Sequence, residues 1–432
     1  MKHVLPIILC LSLGAGGMEA GQTNLVRTLT LADAKQLALK NHPQIAAANY
    51  RALAAQEAVV ETRAGFFPSV NLYGTAVGAN SEGTRIMAGG LNNPSVFDRA
   101  AGGLEASQLL TDFGRTANLT ASSRYQAQAE RQNVVFTREQ VLLQADTAYY
   151  DALEAQAVLH VAQQTLDTRQ LLLDQVTALA TNKLRSELDV SFAQVELQQA
   201  RLLVEKSQDD AAAAMAMLST ALGYREFHEF HLIEETPPAQ AVTNDVSNLV
   251  QTALSCRPEL LSLRAAHAAA SRFAKAERDA RLPTVAAVGV AGDAPTHDSH
   301  LPDDYAAGGI QLSLPLFAGG FYAARQHEAE LKAQADAELL RSLEDNIIRD
   351  VRIAWLNFNN SLEQLHTADE LVGNASEAYD LAQARYQTGI SSIVELSEAQ
   401  LNLTSAQIAD TGARYNVLIQ QANLNYQTGL IH

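Results

Sequence analysis

Residues 134–180 read VVFTREQVLLQADTAYYDALEAQAVLHVAQQTLDTRQLLLDQVTALA. Within this stretch, small or apolar side chains recur in alternating steps of four and three residues, and Arg138 and Arg169 are the exceptions. A 3.5-residue repeat is the seam of a coiled coil, and its many alanines allow close approach of neighbouring helices. No proline interrupts residues 115–181. The pattern therefore predicts one helix of about 100 Å at a rise of 1.5 Å per residue.

The chain contains two copies of one unit. Residues 38–43 (ALKNHP) match 253–258 (ALSCRP), and the string A-Q-x-x-L-x-x-A begins at Ala193 and again at Ala399. Between these matches, we align residues 110–114 with residues 314–318. We predict a first repeat over 29–223, a connector over 224–245 and a second repeat over 246–429. The helices expected in addition to 115–181 cover 43–66, 186–222, 258–282, 320–388 and 391–427, with the shorter ones end to end beside the long ones.

Composition excludes several classes of protein. With 31 basic and 48 acidic residues the formal charge is −17, which argues against nucleic acid as a partner. The longest uncharged apolar stretch, Val4 to Leu13, is too short for a spanning helix, so a polytopic helical membrane protein is excluded. Residues 1–20 have the charged start, apolar core and small-residue exit of a secretory signal peptide. After its removal Cys256 is the single cysteine, so no internal disulfide is expected.

Two segments, at about 68–112 and 284–317, change to a period of two. Leu104 and Ala106 alternate with polar residues, as do Ile310, Leu312 and the leucines at 314 and 316. Each segment predicts a hairpin of two strands of roughly ten residues, which is long enough to cross a bilayer when tilted. The hairpin tips, 80–98 and 293–304, are polar. Aromatic residues gather where helix meets strand, as in an interfacial aromatic girdle: Phe66, Phe67, Phe113, Phe317 and Phe321.

Four strands cannot stand alone in lipid. An open sheet presents two edges of unpaired backbone groups to hydrocarbon, so sheets that span a membrane close into barrels. Closure from two hairpins per chain requires several chains. Two chains supply eight strands, whose interior is filled by side chains, so a pore indicates three chains or more.

The order of several short motifs resembles the TolC-type outer membrane efflux proteins. These motifs are LTLADA at 29–34, NHP at 41–43, FFP at 66–68, LTDFG at 110–114, LDV at 188–190 and YQTGI at 386–390. The resemblance covers Leu29 to Gly429. It implies a homotrimer whose twelve-stranded transmembrane β-barrel, with four strands per chain, continues into a twelve-helix periplasmic coiled-coil α-barrel. It also implies the outer membrane as location, a periplasmic adaptor (membrane fusion) protein and an inner membrane pump as partners, and no cofactor.

The resemblance assigns adaptor docking to two helical turns. The first consists of Lys183, Leu184, Arg185 and Ser186, and the second of Thr388, Gly389 and Ile390. Lys183 stands where the family usually has glycine. The alternative is that both turns only connect antiparallel helices.

The resemblance also implies an entrance gate formed by Tyr386, Ser391, Glu395 and Glu398. Tyr386 matches a tyrosine that helps to hold the entrance closed, and the two glutamates replace aspartates that line it. Ser391 stands where the family has an arginine that pairs. Three-fold symmetry turns the glutamates into two carboxylate rings that favour cations. The alternative is an ordinary solvated helix face.

The remaining polar clusters indicate no chemistry. Residues 297–300 (HDSH), with the aspartates at 303 and 304, are typical of a solvated loop more than of a metal site, and 228–231 (HEFH) of packing. No phosphate loop, nucleophile elbow or zinc spacing occurs, so we expect no enzyme. The sequence predicts the channel-tunnel component of a tripartite efflux pump or type I secretion system. A non-conducting structural coiled coil of the periplasm is the alternative, and an envelope substrate-binding module is a third reading.

Overall fold

The computed structural model describes residues 27–78, 84–85, 95–96, 99–234, 245–296 and 302–431. The predicted signal peptide, residues 235–244 of the connector, most of the first hairpin tip and the cluster at 297–300 lie outside these ranges. The helices are α1 (Leu31–Asn41), α2 (Pro43–Ala64), α3 (Arg115–Thr181), α4 (Glu187–Ala221), α5 (Val246–Cys256), α6 (Pro258–Asp279), α7 (Phe321–Gln387) and α8 (Ile393–Thr428). The strands are β1 (Arg27–Leu29), β2 (Ser69–Val77), β3 (Thr84–Arg85), β4 (Ser95–Val96), β5 (Arg99–Thr111), β6 (Phe230–Leu232), β7 (Thr284–Thr296) and β8 (Asp304–Ser313).

Helices α3 and α7 are the two long rods that the heptad pattern predicts. Each has 67 residues, because no proline breaks either one and a glycine with positive φ, Gly114 or Gly320, precedes each. Helix α4 begins at a capping box in which Ser186 and Asp189 satisfy each other's backbone N–H groups. Prolines at the first turn start α2 and α6, where their missing N–H group costs no hydrogen bond.

The shorter helices stack end to end beside the long ones. Gly223, just after α4, has φ of +80° and lies so close to Asn41 and His42 that an added Cβ atom would be 2.8 Å from their backbone. Gly429, just after α8, approaches Cys256 and Arg257 in the same way, at 3.4 Å. Thus α4 ends where α2 begins, and α8 ends where α6 begins. The stacking predicted from helix lengths is present in both copies.

The helices form one layer with two free edges. In the half that ends at the helical turns, α3 packs between α4 and α8, and α8 packs on α7. In the half that leads to the strands, α3 packs between α2 and α6, and α6 packs on α7. The layer order is therefore α4–α3–α8–α7 in one half and α2–α3–α6–α7 in the other. One edge consists of α4 and α2, and the other of α7.

The four long strands form one antiparallel sheet in the order β2–β5–β7–β8. It joins both predicted hairpins through the β5–β7 ladder. One boundary was wrong, since β8 ends at Ser313 and the alternating leucines at 314 and 316 lie beyond it. Among the described helices, none combines the length and apolar character needed to cross a membrane.

The alignment of 110–114 with 314–318 was also wrong. Phe113 and Gly319 are the residues with matching left-handed backbone, at φ of 55° and 57°, and each lies two residues before a long helix. Their offset of 206 equals that between Ala193 and Ala399. The leucine-rich segment that precedes the long helix of the second copy is therefore two residues longer than the alignment of 110–114 with 314–318 assumed.

A small belt at mid-height of the rods was not anticipated. Strand β1 pairs with β6 in parallel, and α1 packs on α3 beside it. The Tyr149 hydroxyl lies 2.9 Å from the carbonyl oxygen of Leu29 and 2.7 Å from that of Ile233. The largest buried apolar cluster surrounds this tyrosine. The belt therefore fixes both the start of the described chain and the connector to α3.

A buried charged layer interrupts the apolar seam nearer the turns. Arg169 on α3 is 3% exposed, pairs with Glu196 on α4 at 2.9 Å and donates to the Ser397 carbonyl on α8 at 3.3 Å. Burial lowers the pKa of Arg169, and the Glu196 carboxylate opposes this shift. This exception to the heptad seam is thus accommodated by an acid of a neighbouring helix.

Replacing Gly223 by alanine should lower the thermal unfolding midpoint of the purified protein. A left-handed backbone costs a non-glycine residue about 1–2 kcal/mol, and the new methyl group would collide with the start of α2. The control is Gly373→Ala, because Gly373 is exposed inside α7 with nothing within 4 Å. That change should stabilise by about 0.5–1 kcal/mol. Equal midpoints for the two variants would contradict the stacking.

Glu196→Ala should destabilise the helical domain by about 2 kcal/mol. This is less than the cost of breaking a fully buried ion pair, because Glu196 keeps some water contact. Adding Arg169→Met should recover most of this loss, since no unpaired charge then stays buried. Glu328→Ala breaks an exposed pair with Lys332 and should leave stability nearly unchanged, because solvent screens such pairs. Chemical denaturation followed by circular dichroism measures the stability of all three variants. If Glu196→Ala lost no more stability than Glu328→Ala, the buried Arg169–Glu196 layer would not have the proposed role.

Candidate functional site

The two helical turns named from the sequence lie at the end of the layer far from the sheet. Lys183 has φ of 59° and Gly389 has φ of 78°, and they occupy equivalent places in the two copies. The first turn thus keeps the backbone that glycine adopts easily, at a cost to lysine of about 1–2 kcal/mol. Leu184 and Ile390 are each 70% exposed. The turns therefore present apolar side chains at their extreme ends.

Arg185 connects the two turns. Its guanidinium lies over the Tyr386 ring at 4.2 Å from the centroid and donates to the Tyr386 carbonyl oxygen at 2.7 Å. A guanidinium over an aromatic face is attracted by the ring quadrupole, by about 0.5–2 kcal/mol depending on desolvation. A residue named for docking thus contacts a residue named for the gate, within one chain.

Tyr386 itself is buried among the apolar residues of α3, α4 and α8. Its hydroxyl is buried and has no hydrogen-bond partner among the described residues, and the same holds for the Ser391 hydroxyl. Burial raises the pKa of Tyr386, against the effect of Arg185. The phenol therefore stays neutral at physiological pH. Two orphaned buried hydroxyls at one end of the layer are costly unless a rearrangement or another chain satisfies them.

The two glutamates differ in their surroundings. Glu395 pairs with Arg385 at 3.0 Å, and its backbone N–H donates to Ser392, which caps α8. Glu398, one turn further along α8, is exposed and has no ion pair among the described residues. Sequence reasoning missed Arg385. The signal was available, because a short turn between antiparallel α7 and α8 brings a residue just before the turn close to one just after it.

The other polar clusters remain without a site. His228 packs against Tyr224 and Phe230, with its ring centroid 4.3 and 6.3 Å from theirs, which supports packing. Over the ranges that the structure describes, no group of three or more histidine, cysteine or acidic side chains could hold a metal ion.

Comparison with known proteins identifies the family. The family model described as "Outer membrane efflux protein" matches residues 34–224 and 249–430. The chain is 26% identical to "Outer membrane protein TolC" of Salmonella enteritidis, over all of this chain and 87% of that protein. It is 25% identical to "Toluene efflux pump outer membrane protein TtgC" of Pseudomonas putida, over 88% and 78%.

Solved structures share the fold. A membrane protein from Pseudomonas aeruginosa superposes with a TM-score of 0.80 at 21% identity, covering 92% of this chain and 93% of the other. The open state of the MtrE outer membrane channel of Neisseria gonorrhoeae gives 0.74 at 20% identity, over 93% and 89%. The family match and the curated relatives disfavour the non-conducting coiled-coil alternative. The chain belongs to the outer membrane efflux protein family and is the outer membrane channel component of a bacterial efflux or secretion system.

Proposed function

We propose that three copies of this chain close into one channel, docked at its helical turns to a periplasmic adaptor and an inner membrane pump. The observation that carries this proposal is that the layer of helices and the sheet are both open on the same two sides. Strand β2 follows α2 and strand β8 precedes α7, so each free strand adjoins a free helix edge. A single contact between neighbouring copies therefore covers the free strand and the free helix edge together.

Exposed side chains support contact between copies along these edges. Leu188, Val195 and Leu202 follow each other at intervals of seven residues on α4, and 54–66% of each is exposed. They form a second heptad seam on a helix whose first seam already packs on α3. A second seam requires a second partner helix. On the opposite edge, Leu371 and Leu381 of α7 are 50% and 59% exposed.

The number of copies follows from the interior that conduction needs. Each chain contributes four long strands. Eight strands enclose only side chains, whereas twelve leave a water-filled lumen. The contact is head-to-tail, because the α4–α2 edge of one copy meets the α7 edge of the next, and such contacts close into a ring.

The gate is proposed at the ends of the rods. Arg185 on Tyr386 joins the two hairpin ends within one chain, so this contact must yield when those ends separate. Arg385 on Glu395 braces the second turn from within its own hairpin. Exposed Leu184 and Ile390 suit an apolar contact with the adaptor, whose docking supplies the energy for that change. The channel conducts passively, and it performs no chemistry and needs no cofactor.

Single-channel recording of the detergent-purified protein tests this function. We expect discrete conducting events in planar bilayers from a species whose mass in the same detergent equals three chains. Conduction by a different number of chains would refute the trimer. A monomer that never conducts would refute closure itself.

The entrance charges predict opposite effects on ion selectivity. Arg385→Gln leaves Glu395 unpaired and should raise cation preference, whereas Glu398→Gln removes an exposed carboxylate and should lower it. Lys332→Gln serves as control, because it removes one positive charge as Arg385→Gln does. Lys332 lies about 80 Å from the turns along α7, at 1.5 Å per residue. Reversal potentials in a salt gradient give the result. Unchanged potentials for Glu395→Ala with Glu398→Ala would exclude the glutamates from the conduction path.

A further inference from the structure

The two faces of the four-stranded sheet differ in character. In the β2–β5 ladder Leu72 lies opposite Leu104, and in the β7–β8 ladder Val285 lies opposite Leu312. All four side chains are on one face of the sheet. The alternate positions include Asn71 opposite Glu105 and Gln311 opposite Ala286. Apolar residues of a barrel face lipid and the alternating polar residues face the lumen. The face with Asn71 and Glu105 is therefore the lumen side.

One row across the lumen face has tyrosine at both ends and glycine between them. The pairs are Tyr73 with Gly103, Gly103 with Gly292, and Gly292 with Tyr305. A Cβ atom added at either glycine would overlap the Tyr305 hydroxyl. The Tyr305 ring thus lies across β7 against the backbone and reaches β5. Tyr73 is paired with Gly103 across the β2–β5 ladder, so a second aromatic residue lies in the same row as the Tyr305 ring.

A carboxylate lies beside this row. Glu105 is two residues after Gly103 on β5 and therefore on the same face. It is half-buried, and no ion pair to it occurs among the described residues. From Gly103 to Thr111, and over the paired stretches of the other three strands, it is the only charged side chain on the lumen side. Its neighbour across the ladder is Asn71, which leaves the negative charge uncompensated.

We propose that Tyr73, Tyr305 and Glu105 form a lumen recess that binds organic cations with an aromatic or apolar body. Aromatic faces attract cations, the carboxylate adds a charge of opposite sign, and the two glycines let the Tyr305 ring lie against the sheet as the base of the recess. The same surface repels anions of equal shape. The recess makes cationic amphiphiles the class of cargo that the barrel retains longest.

This inference rests on the proposed function, because only closure of three copies turns this face into a lumen. A trimer contains three equivalent recesses at one level of the barrel. They lie at the end of the conduction path opposite to the entrance glutamates, so the two acidic regions can be tested separately.

The test is calorimetric titration of the detergent-purified trimer with tetraphenylphosphonium and, as an anion of the same shape, tetraphenylborate. Titrations into protein-free detergent are subtracted. We expect saturable binding of the cation and none of the anion. Glu105→Gln should weaken cation binding about fivefold, and Tyr73→Ala about threefold, from the size of exposed cation–π and ion-pair contacts.

Further variants separate the recess from general loss of structure. Tyr305→Phe keeps the ring and should bind within twofold of the parent protein. Gly103→Ala displaces that ring and should weaken binding at least as much as Tyr73→Ala. Glu328→Gln makes the same change of charge as Glu105→Gln on α7 and should leave affinity unchanged.

Equal affinity for the two probes, or an unchanged affinity in Glu105→Gln, would overturn the recess. Calorimetry does not require ion flow, so its outcome is distinct from that of the conductance experiment. A conducting trimer without cation binding removes this inference and keeps the proposed function. A non-conducting protein removes the proposed function and, with it, the role of the recess in transport.

Discussion

The constraint on which this architecture depends is the backbone hydrogen bonding of strand edges in hydrocarbon. Each unpaired N–H or C=O group there costs several kcal/mol, and β2 and β8 each leave one edge open within the chain. The sheet is therefore stable in a membrane only when another copy continues it. The helical layer repeats the same logic in water, because α4 and α7 retain exposed leucines along their free sides. Membrane and periplasmic parts thus require the same neighbour.

The polar groups inside the coiled coil are distributed unevenly. Near the belt, the Tyr149 hydroxyl has two carbonyl acceptors, and the surrounding cluster is apolar. Five of the nine buried side-chain atoms that lack a partner among the described residues lie towards the turns, on Arg169, Ser397, Gln400, Ser391 and Tyr386, and the other four are on Thr120, Asp146, Trp355 and Asp410. Incompletely satisfied polar groups lower the cost of separating helices. The end of the layer at which the gate is proposed carries most of these atoms.

The sequence allowed six of the eight described helices to be placed to within about three residues, because prolines, glycines and heptad seams mark their ends. Helices α1 and α5 were not predicted. Strand positions followed from period-two alternation, although the leucines at 314 and 316 extended the pattern past the true end of β8. The belt could not be foreseen, since β1 and β6 have three residues each and pair over a distance of about two hundred positions. Hydrophobic periodicity and helix-ending residues are signals within a short stretch of sequence, whereas the pairing of β1 with β6 depends on residues far apart in the chain.

The candidate site was less predictable than the fold. Lys183 looked like a departure from the family, yet its backbone has the same left-handed conformation as Gly389 in the second turn, because the hairpin geometry outweighs the preference of the side chain. Arg385 and the stacking of Arg185 on Tyr386 depend on which side chains meet across a turn. The spacing of residues along the sequence indicates that these side chains lie near the same turn, but it does not determine which of them form contacts.

The belt around Tyr149 also has a mechanical consequence. It clamps α3 at mid-height, so the rods below it act as cantilevers with a free length of about 40 Å from Leu153 to Thr181 at 1.5 Å per residue. A lever of that length converts a small tilt at the clamp into a large displacement at its free end. The aperture can therefore change while the sheet in the membrane and the girth at mid-height stay fixed.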